Sequence, residues 1–328
     1  MVNRSSFAPL IVGSGPDTTS MKLEERLEQL RQLRDAEPVA AADTILRKGL
    51  RDRSSLIVAE AAKVVGHLRR TPLLEDLLSA FDRFFENPVK TDPKCWAKTA
   101  IVKALLSMDY QESPPFLRAA RHIQLEAVWG GQEDAAMHLR ANAVLALVAC
   151  TDLTRPEILR HLVDALADDL DTVRVEAVRA LNQMNGEESC LALRVKAYAG
   201  DRRPVVLGQV FDSILELEGE RGVTFVARFL KSSNDETRDE AALALGGSRL
   251  PSAVTALIEV WDQSRLSDFG SVLLRAISSS RDENALAFLL NLVKDGSSRE
   301  SAAGLDALQL HSDSLEIQRR ITDAIGSD

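Results

Sequence analysis

The stretch Asp171-Thr172-Val173-Arg174-Val175-Glu176-Ala177-Val178-Arg179-Ala180-Leu181 decides the fold. Its apolar positions 173, 177, 180, 181 and 184 recur at helical spacing, while Glu176, Arg179 and Gln183 fall on another face. Asp171 reads as the N-cap, because a carboxylate there can accept from free amides of the first turn, and Gly186 reads as the stop. The pattern returns downstream as Asp235-Glu236-Thr237-Arg238-Asp239-Glu240-Ala241-Ala242-Leu243-Ala244-Leu245, ended by Gly246-Gly247. Upstream it appears from Met137 to Leu147, around Ala143.

Aligning the central residue of each copy places anchors at Ala61, Ile101, Ala143, Ala177, Phe211, Ala241, Leu273 and Gly304. The intervals between them are 40, 42, 34, 34, 30, 32 and 31 residues. Periods of this length, each holding two helical patterns and a turn, mark an α-solenoid. Partner helices with i, i+3, i+4 apolar spacing precede the later anchors at 157–168, 191–199, 223–231, 253–263 and 283–294. Arg-Pro at 155–156 and 203–204 opens helices where proline's missing amide costs nothing. Such hairpins cannot bury their apolar faces alone and must stack on neighbours. The expectation is an all-α chain, an α-α superhelix of about eight helical hairpins over residues 21–328. A disordered leader over residues 1–20, with Gly13-Ser14-Gly15-Pro16, is expected to precede it.

The Asp-x-x-Arg-x-x-Ala-x-x-Ala-Leu pattern of 171–181 and its copy at 235–245 resemble the second helix of a HEAT repeat. The tighter C-terminal copies resemble the compact subtype also found in phycobilin-lyase-like proteins. The resemblance covers roughly residues 40–310, with Gly208, Gly270 and Ser301 standing where the pattern has Arg. It implies that Asp171/Arg174 and Asp235/Arg238 tie one repeat to the next. It also implies that the second helices line a concave surface. Counting by anchor from Arg179, one row of that surface reads Lys63, Lys103, Leu145, Arg179, Ser213, Leu243, Arg275 and Asp306. One turn away come Glu60, Ala100, Asn142, Glu176, Val210, Glu240, Val272 and Ala303. Lys63, Lys103, Asn142, Glu176, Arg179, Glu240 and Arg275 are therefore the candidate groove residues. Cationic and apolar points together suit a peptide or an acidic helix of another protein.

One segment breaks the repeat. After Pro114-Pro115 the pattern suggests a helix over 116–128, then a flexible turn at Trp129-Gly130-Gly131-Gln132-Glu133-Asp134. Solenoid loops often carry function, so Trp129, Gly130, Gly131 and Asp134 form a second candidate contact site.

Composition narrows the function classes. The chain is 45 % hydrophobic and 27 % charged, with aromatics at only 5 %, which suits closely packed helices. A net charge of −9 argues against nucleic-acid or anionic-membrane partners, because phosphate binding needs a basic surface. That charge resides in the C-terminal half: residues 1–164 carry 22 basic and 22 acidic side chains, residues 165–328 carry 18 and 27. Cys95, Cys150 and Cys190 read as buried thiols of a reduced, cytoplasmic protein. The five histidines lack partners at metal-ligand spacing, and no phosphate-binding glycine loop or nucleophile elbow occurs. No catalytic residue, metal or cofactor is expected. The leading expectation is a non-catalytic protein-binding scaffold with a protein or peptide partner. The alternatives are an enzyme on the same scaffold, phycobilin-lyase-like or DNA-glycosylase-like, and a structural subunit of a larger assembly.

Overall fold

Every one of the eight anchor residues is buried. They lie on eight second helices of a chain whose described residues are all-α apart from one hairpin. The computed structural model describes residues 18–35, 39–264 and 268–326. Residues 1–17 of the expected leader lie outside the described residues, and Thr18–Ser20 form the opening turn of the first helix. Chain contacts divide the protein into two units, Met1–Asn142 and Ala143–Asp328.

The first unit contains α1 (Thr18–Gln32), α2 (Val39–Leu50), α3 (Ser55–His67), α4 (Leu74–Arg83), α5 (Pro88–Thr91), α6 (Trp96–Ser107) and α7 (Pro114–Ala120). It continues through β1 (Leu125–Val128) and β2 (Gly131–Asp134) into the start of α8 (Met137–Ala146). Helix α3 is its centre, with Ile57, Val58, Ala61, Ala62, Val64 and Val65 all buried beneath α1, α2 and α6. Burial on every side explains why α3 is apolar nearly all round. Its contact with α6 is close because Gly66 carries no side chain, and a Cβ there would lie 2.8 Å from the Cα of Ala104.

The second unit contains α9 (Arg155–Ala165), α10 (Asp171–Met184), α11 (Glu187–Ala199), α12 (Pro204–Glu218), α13 (Glu220–Val226) and α14 (Asp235–Ser248). It ends with α15 (Pro251–Ser264), α16 (Asp268–Ser279), α17 (Glu283–Asp295), α18 (Ser298–Leu308) and α19 (Leu315–Ile325). Helices α10, α12, α14, α16 and α18 stack in series, each on the next, and each packs against a preceding first helix. Asp171 occupies the first helical position of α10, not the cap; its carboxylate accepts from the Thr172 amide (2.9 Å) and pairs with Arg203 (2.9 Å).

Arg174 ties α10 to the following hairpin. Its guanidinium is buried, donates to both carboxylate oxygens of Asp201 (2.8 and 2.7 Å), and caps the Asp168 and Asp169 carbonyls (2.7 and 3.0 Å). The equivalent Arg238 instead pairs with Asp235 within its own helix (2.8 Å) and lies 4.4 Å over the Phe269 ring of α16.

Burial opposes ionisation of Asp201. The Arg174 and Lys196 side chains and the Arg203 amide outweigh it and hold the carboxyl at about 2, against 3.8 ordinarily. A depressed carboxyl stabilises the fold above its unfolded value and loses that contribution as pH falls through the folded one, here between about pH 4 and 2. Asp201→Ala leaves the Arg174 guanidinium buried without its anion. It should cost about 3 kcal/mol at neutral pH, with the deficit shrinking from pH 4 to pH 2 in denaturant titrations.

Candidate functional site

The irregular segment is not a helix running to Val128. Helix α7 stops at Ala120, and residues 125–134 form an antiparallel hairpin in which Leu125 faces Asp134 and Val128 faces Gly131. The alternation Ile123-Gln124-Leu125-Glu126-Ala127 has period two, the signature of a strand. Trp129 and Gly130 make the two-residue turn, with Gly130 at φ 90°, a conformation only glycine adopts without strain. The Trp129 side chain stands wholly in solvent, at 103 % relative exposure.

A buried polar cluster bolts this hairpin to the start of α6. The Asp92 carboxylate accepts from the Ala97 and Lys98 amides (2.8 and 3.0 Å) and lies 3.0 Å from the Lys98 ammonium, both side chains being 0 % exposed. Lys98 also donates to the Phe84 carbonyl (3.2 Å). Gln124 donates to the Asp92 carbonyl (2.9 Å) and to Glu126 (2.6 Å), and Glu126 accepts in turn from the Lys94 amide (2.6 Å). Lys94 and Cys95 are held in the left-handed region (φ 57° and 54°), at a cost of roughly 1 kcal/mol or more each. Cys95 donates to Gln124 (3.2 Å); its thiol, pushed up to about 12 by burial, is not a nucleophile at neutral pH.

Asp134 secures the other end of the hairpin. Burial opposes its ionisation, but bonds from the Ala136 and Gln124 amides and the Arg140 guanidinium (2.9, 3.1 and 2.6 Å) hold its carboxyl below the usual range. Burial likewise keeps His122 below its ordinary value, hence neutral near pH 7.

Between this hairpin and α1, α3 and α6 lies a cleft of about 640 Å³ within the first unit. Predicted residues from both candidate sites meet here: Lys63 and Lys103 from the groove row, Asp134 from the loop. Trp96, 45 % exposed, forms part of the wall with Leu56, Ala100 and Val128, and the Lys94 ammonium stands 5.9 Å from its ring centroid. Trp129, Gly130 and Gly131 sit at the hairpin tip and do not line the cleft.

The four cations of the expected row divide into two kinds. Lys63 lies 3.2 Å from Glu60, and Arg179 lies 2.7 Å from Glu176, each pair spaced i, i+3. Lys103 and Arg275 have Ala100 and Val272 at that spacing, and among the described residues neither has an ion-pair or hydrogen-bond partner. Arg179 also donates to Gln209 (2.9 Å), and Asn142 turns back onto the His138 carbonyl (2.5 Å).

Glu240 lies against Gly208, where the repeat pattern has Arg, and a Cβ at that position would collide with its carboxylate. Burial first, then Asp212, Asp239 and Glu236, raises Glu240 above the usual carboxyl range. Asp212 is raised by crowding from surrounding atoms and by Glu216, although its side chain still meets solvent. Besides Arg179 and Arg275, the second unit's rows thus hold a carboxylate, Glu240, whose surroundings oppose its ionisation.

Sequence reasoning missed Asp92, Lys98 and Gln124. Lys98 stands in phase with Val102 and Leu105, a core position where a lysine requires a buried partner, and Asp92-Pro93 just ahead is a helix-start signature. Among the described residues, no three His, Cys, Asp or Glu side chains gather closely enough to hold a metal ion.

No family model matches this chain, and no curated protein matches it. Solved structures with a likeness include human deoxyhypusine hydroxylase in complex with glycerol, at 18 % identity and a TM-score of 0.27, covering 92 % of this chain and 100 % of that one. An engineered protein shows 15 % identity and a TM-score of 0.36, covering 94 % of this chain and 96 % of its own. No helix among the described residues is long and apolar enough to cross a membrane.

Two outcomes follow from these charges. Asp92→Ala strands a buried ammonium, so it should destabilise the first unit by about 3–5 kcal/mol and speed hydrogen exchange over 125–134. Adding Lys98→Met should recover the part due to the stranded charge, though not the two amide bonds that Asp92 accepts. A raised carboxyl is destabilising while ionised and relieved once protonated. Glu240→Gln should therefore raise the thermal midpoint at pH 7, and the gain should vanish in acid.

Proposed function

We propose that this chain is a HEAT-like solenoid serving as a non-catalytic, cytoplasmic protein-binding scaffold, with the cleft of the first unit as its principal contact site. The observation that carries this reading is the unpartnered Lys103 beside the half-exposed Trp96, under a hairpin that holds Trp129 in open solvent. Large aromatic side chains exposed beside a cleft are a standing cost in water, recovered when a partner covers them. Tryptophan is also the residue type most enriched at the energetic centres of protein interfaces.

The hairpin supports the same reading. Leu125, Val128 and Trp129 of the hairpin, and Ile123 just before it, are all exposed, although the buried cluster fixes the backbone. A rigid support carrying apolar side chains pays little ordering entropy on binding. The groove row supplies a second, more dispersed surface through Glu176, Glu240 and Arg275.

Affinity capture with the full chain, followed by quantitative mass spectrometry, tests the assignment. Lys103→Glu combined with Trp129→Ala should reduce recovery of specifically retained proteins by about tenfold or more. The Trp129 side chain is fully exposed, so Trp129→Ala should leave the thermal midpoint unchanged. Undiminished recovery from the double variant would remove the cleft from the account.

A further inference from the structure

We infer that the cleft of the first unit accepts an acidic, amphipathic segment of another protein, with an apolar anchor against Trp96 and carboxylates beside Lys103 and Lys94. This rests on the binding role proposed above and specifies the chemistry of the partner.

The charge inventory of the cleft is lopsided once internal pairs are removed. Glu60 is a single buried carboxylate shared by three cations, with Arg31 at 3.7 Å, Arg34 at 3.2 Å and Lys63 at 3.2 Å. Glu126 is occupied by the Lys94 amide and Gln124, and Asp134 by Arg140 and two backbone amides. Lys103 has no partner among the described residues, and the Lys94 ammonium is shared only with the face of Trp96. Glu133 is the one lining carboxylate without a partner among the described residues. The cleft therefore offers cationic positions inside a chain whose net charge is −9. A carboxylate arriving at Lys103 gains a charge-assisted hydrogen bond without displacing an internal one.

The apolar part sets the remaining chemistry. Trp96, Leu56, Ala100 and Val128 give a surface large enough for one or two side chains in a volume of about 640 Å³. Cations separated by apolar points match a helix or extended segment whose apolar and acidic residues alternate along one face. A nucleic acid would require a continuous run of cations following the phosphates, whereas Glu60, Glu126, Glu133 and Asp134 stand among the residues that line the cleft.

Fluorescently labelled peptides of about 15 residues test this by anisotropy against the full chain. Three sets share Leu and Trp and differ only in their polar residues: Asp and Glu, Lys and Arg, or Ser and Gln. Single-stranded and duplex DNA oligonucleotides form a fourth arm. The acidic set should bind at least about tenfold more tightly than the basic and neutral sets. Lys103→Glu should reverse that order, and Trp96→Ala should weaken binding of the acidic set about tenfold or more. Arg319→Glu, which changes an exposed cation on the final helix of the second unit, unpaired among the described residues, should have no effect. Unchanged thermal melting of each variant excludes misfolding. If neutral or basic peptides bind as well or better while still depending on Lys103 and Trp96, the acidic partner is wrong and the binding role stands. If no peptide binds, or binding ignores both substitutions, the binding role of the cleft falls as well. Oligonucleotides that bind more tightly than every peptide set would overturn both readings in favour of nucleic acid.

Discussion

A helical hairpin presents more apolar surface than it can cover itself, and stacking on the next hairpin is what resolves this. The eight buried anchors are the points where that constraint is met. Small residues matter as much as large ones. Ala61, Ala177 and Ala241 are buried small anchors, Ala61 lying against Gly49 of α2, and Gly66 brings α3 to within van der Waals contact of α6. Polar ties such as Arg174 with Asp201 then fix the register between successive hairpins, at the cost of burying charge that must stay paired.

The candidate site arises where this regularity is interrupted. A two-stranded hairpin alone is marginal in water, so β1 and β2 need an external support. They obtain it from a polar cluster around Asp92, Lys98 and Gln124, buried at the start of α6. The same cluster holds Lys94 and Cys95 in left-handed conformations, bringing the Lys94 ammonium over the exposed ring of Trp96. The ion pair at the start of α6 thus also sets one wall of the cleft.

The repeat architecture was legible because it is written in periodicity. Anchors placed by spacing alone are buried on second helices. The hairpin was not legible as a helix-breaking double glycine, because its signal lies in five residues of alternation just upstream. Spacing picked out Lys63, Lys103, Arg179 and Arg275, but their availability depends on the residue three positions earlier: Glu60 and Glu176 neutralise two of them, Ala100 and Val272 leave two free. The acidic character around Asp212 and Glu240 depends on neighbours from separate helices, which no linear pattern displays.

The central claim is that contact is concentrated in the cleft and hairpin of the first unit, not spread along the row of second helices. Hydrogen exchange on the full chain, alone and with a captured partner, tests this most directly. The account predicts slowed exchange over residues 94–103 and 125–134 with α10 to α16 unchanged. Protection spread along α10, α12, α14 and α16, with the hairpin exchanging as it does in the free protein, would contradict it.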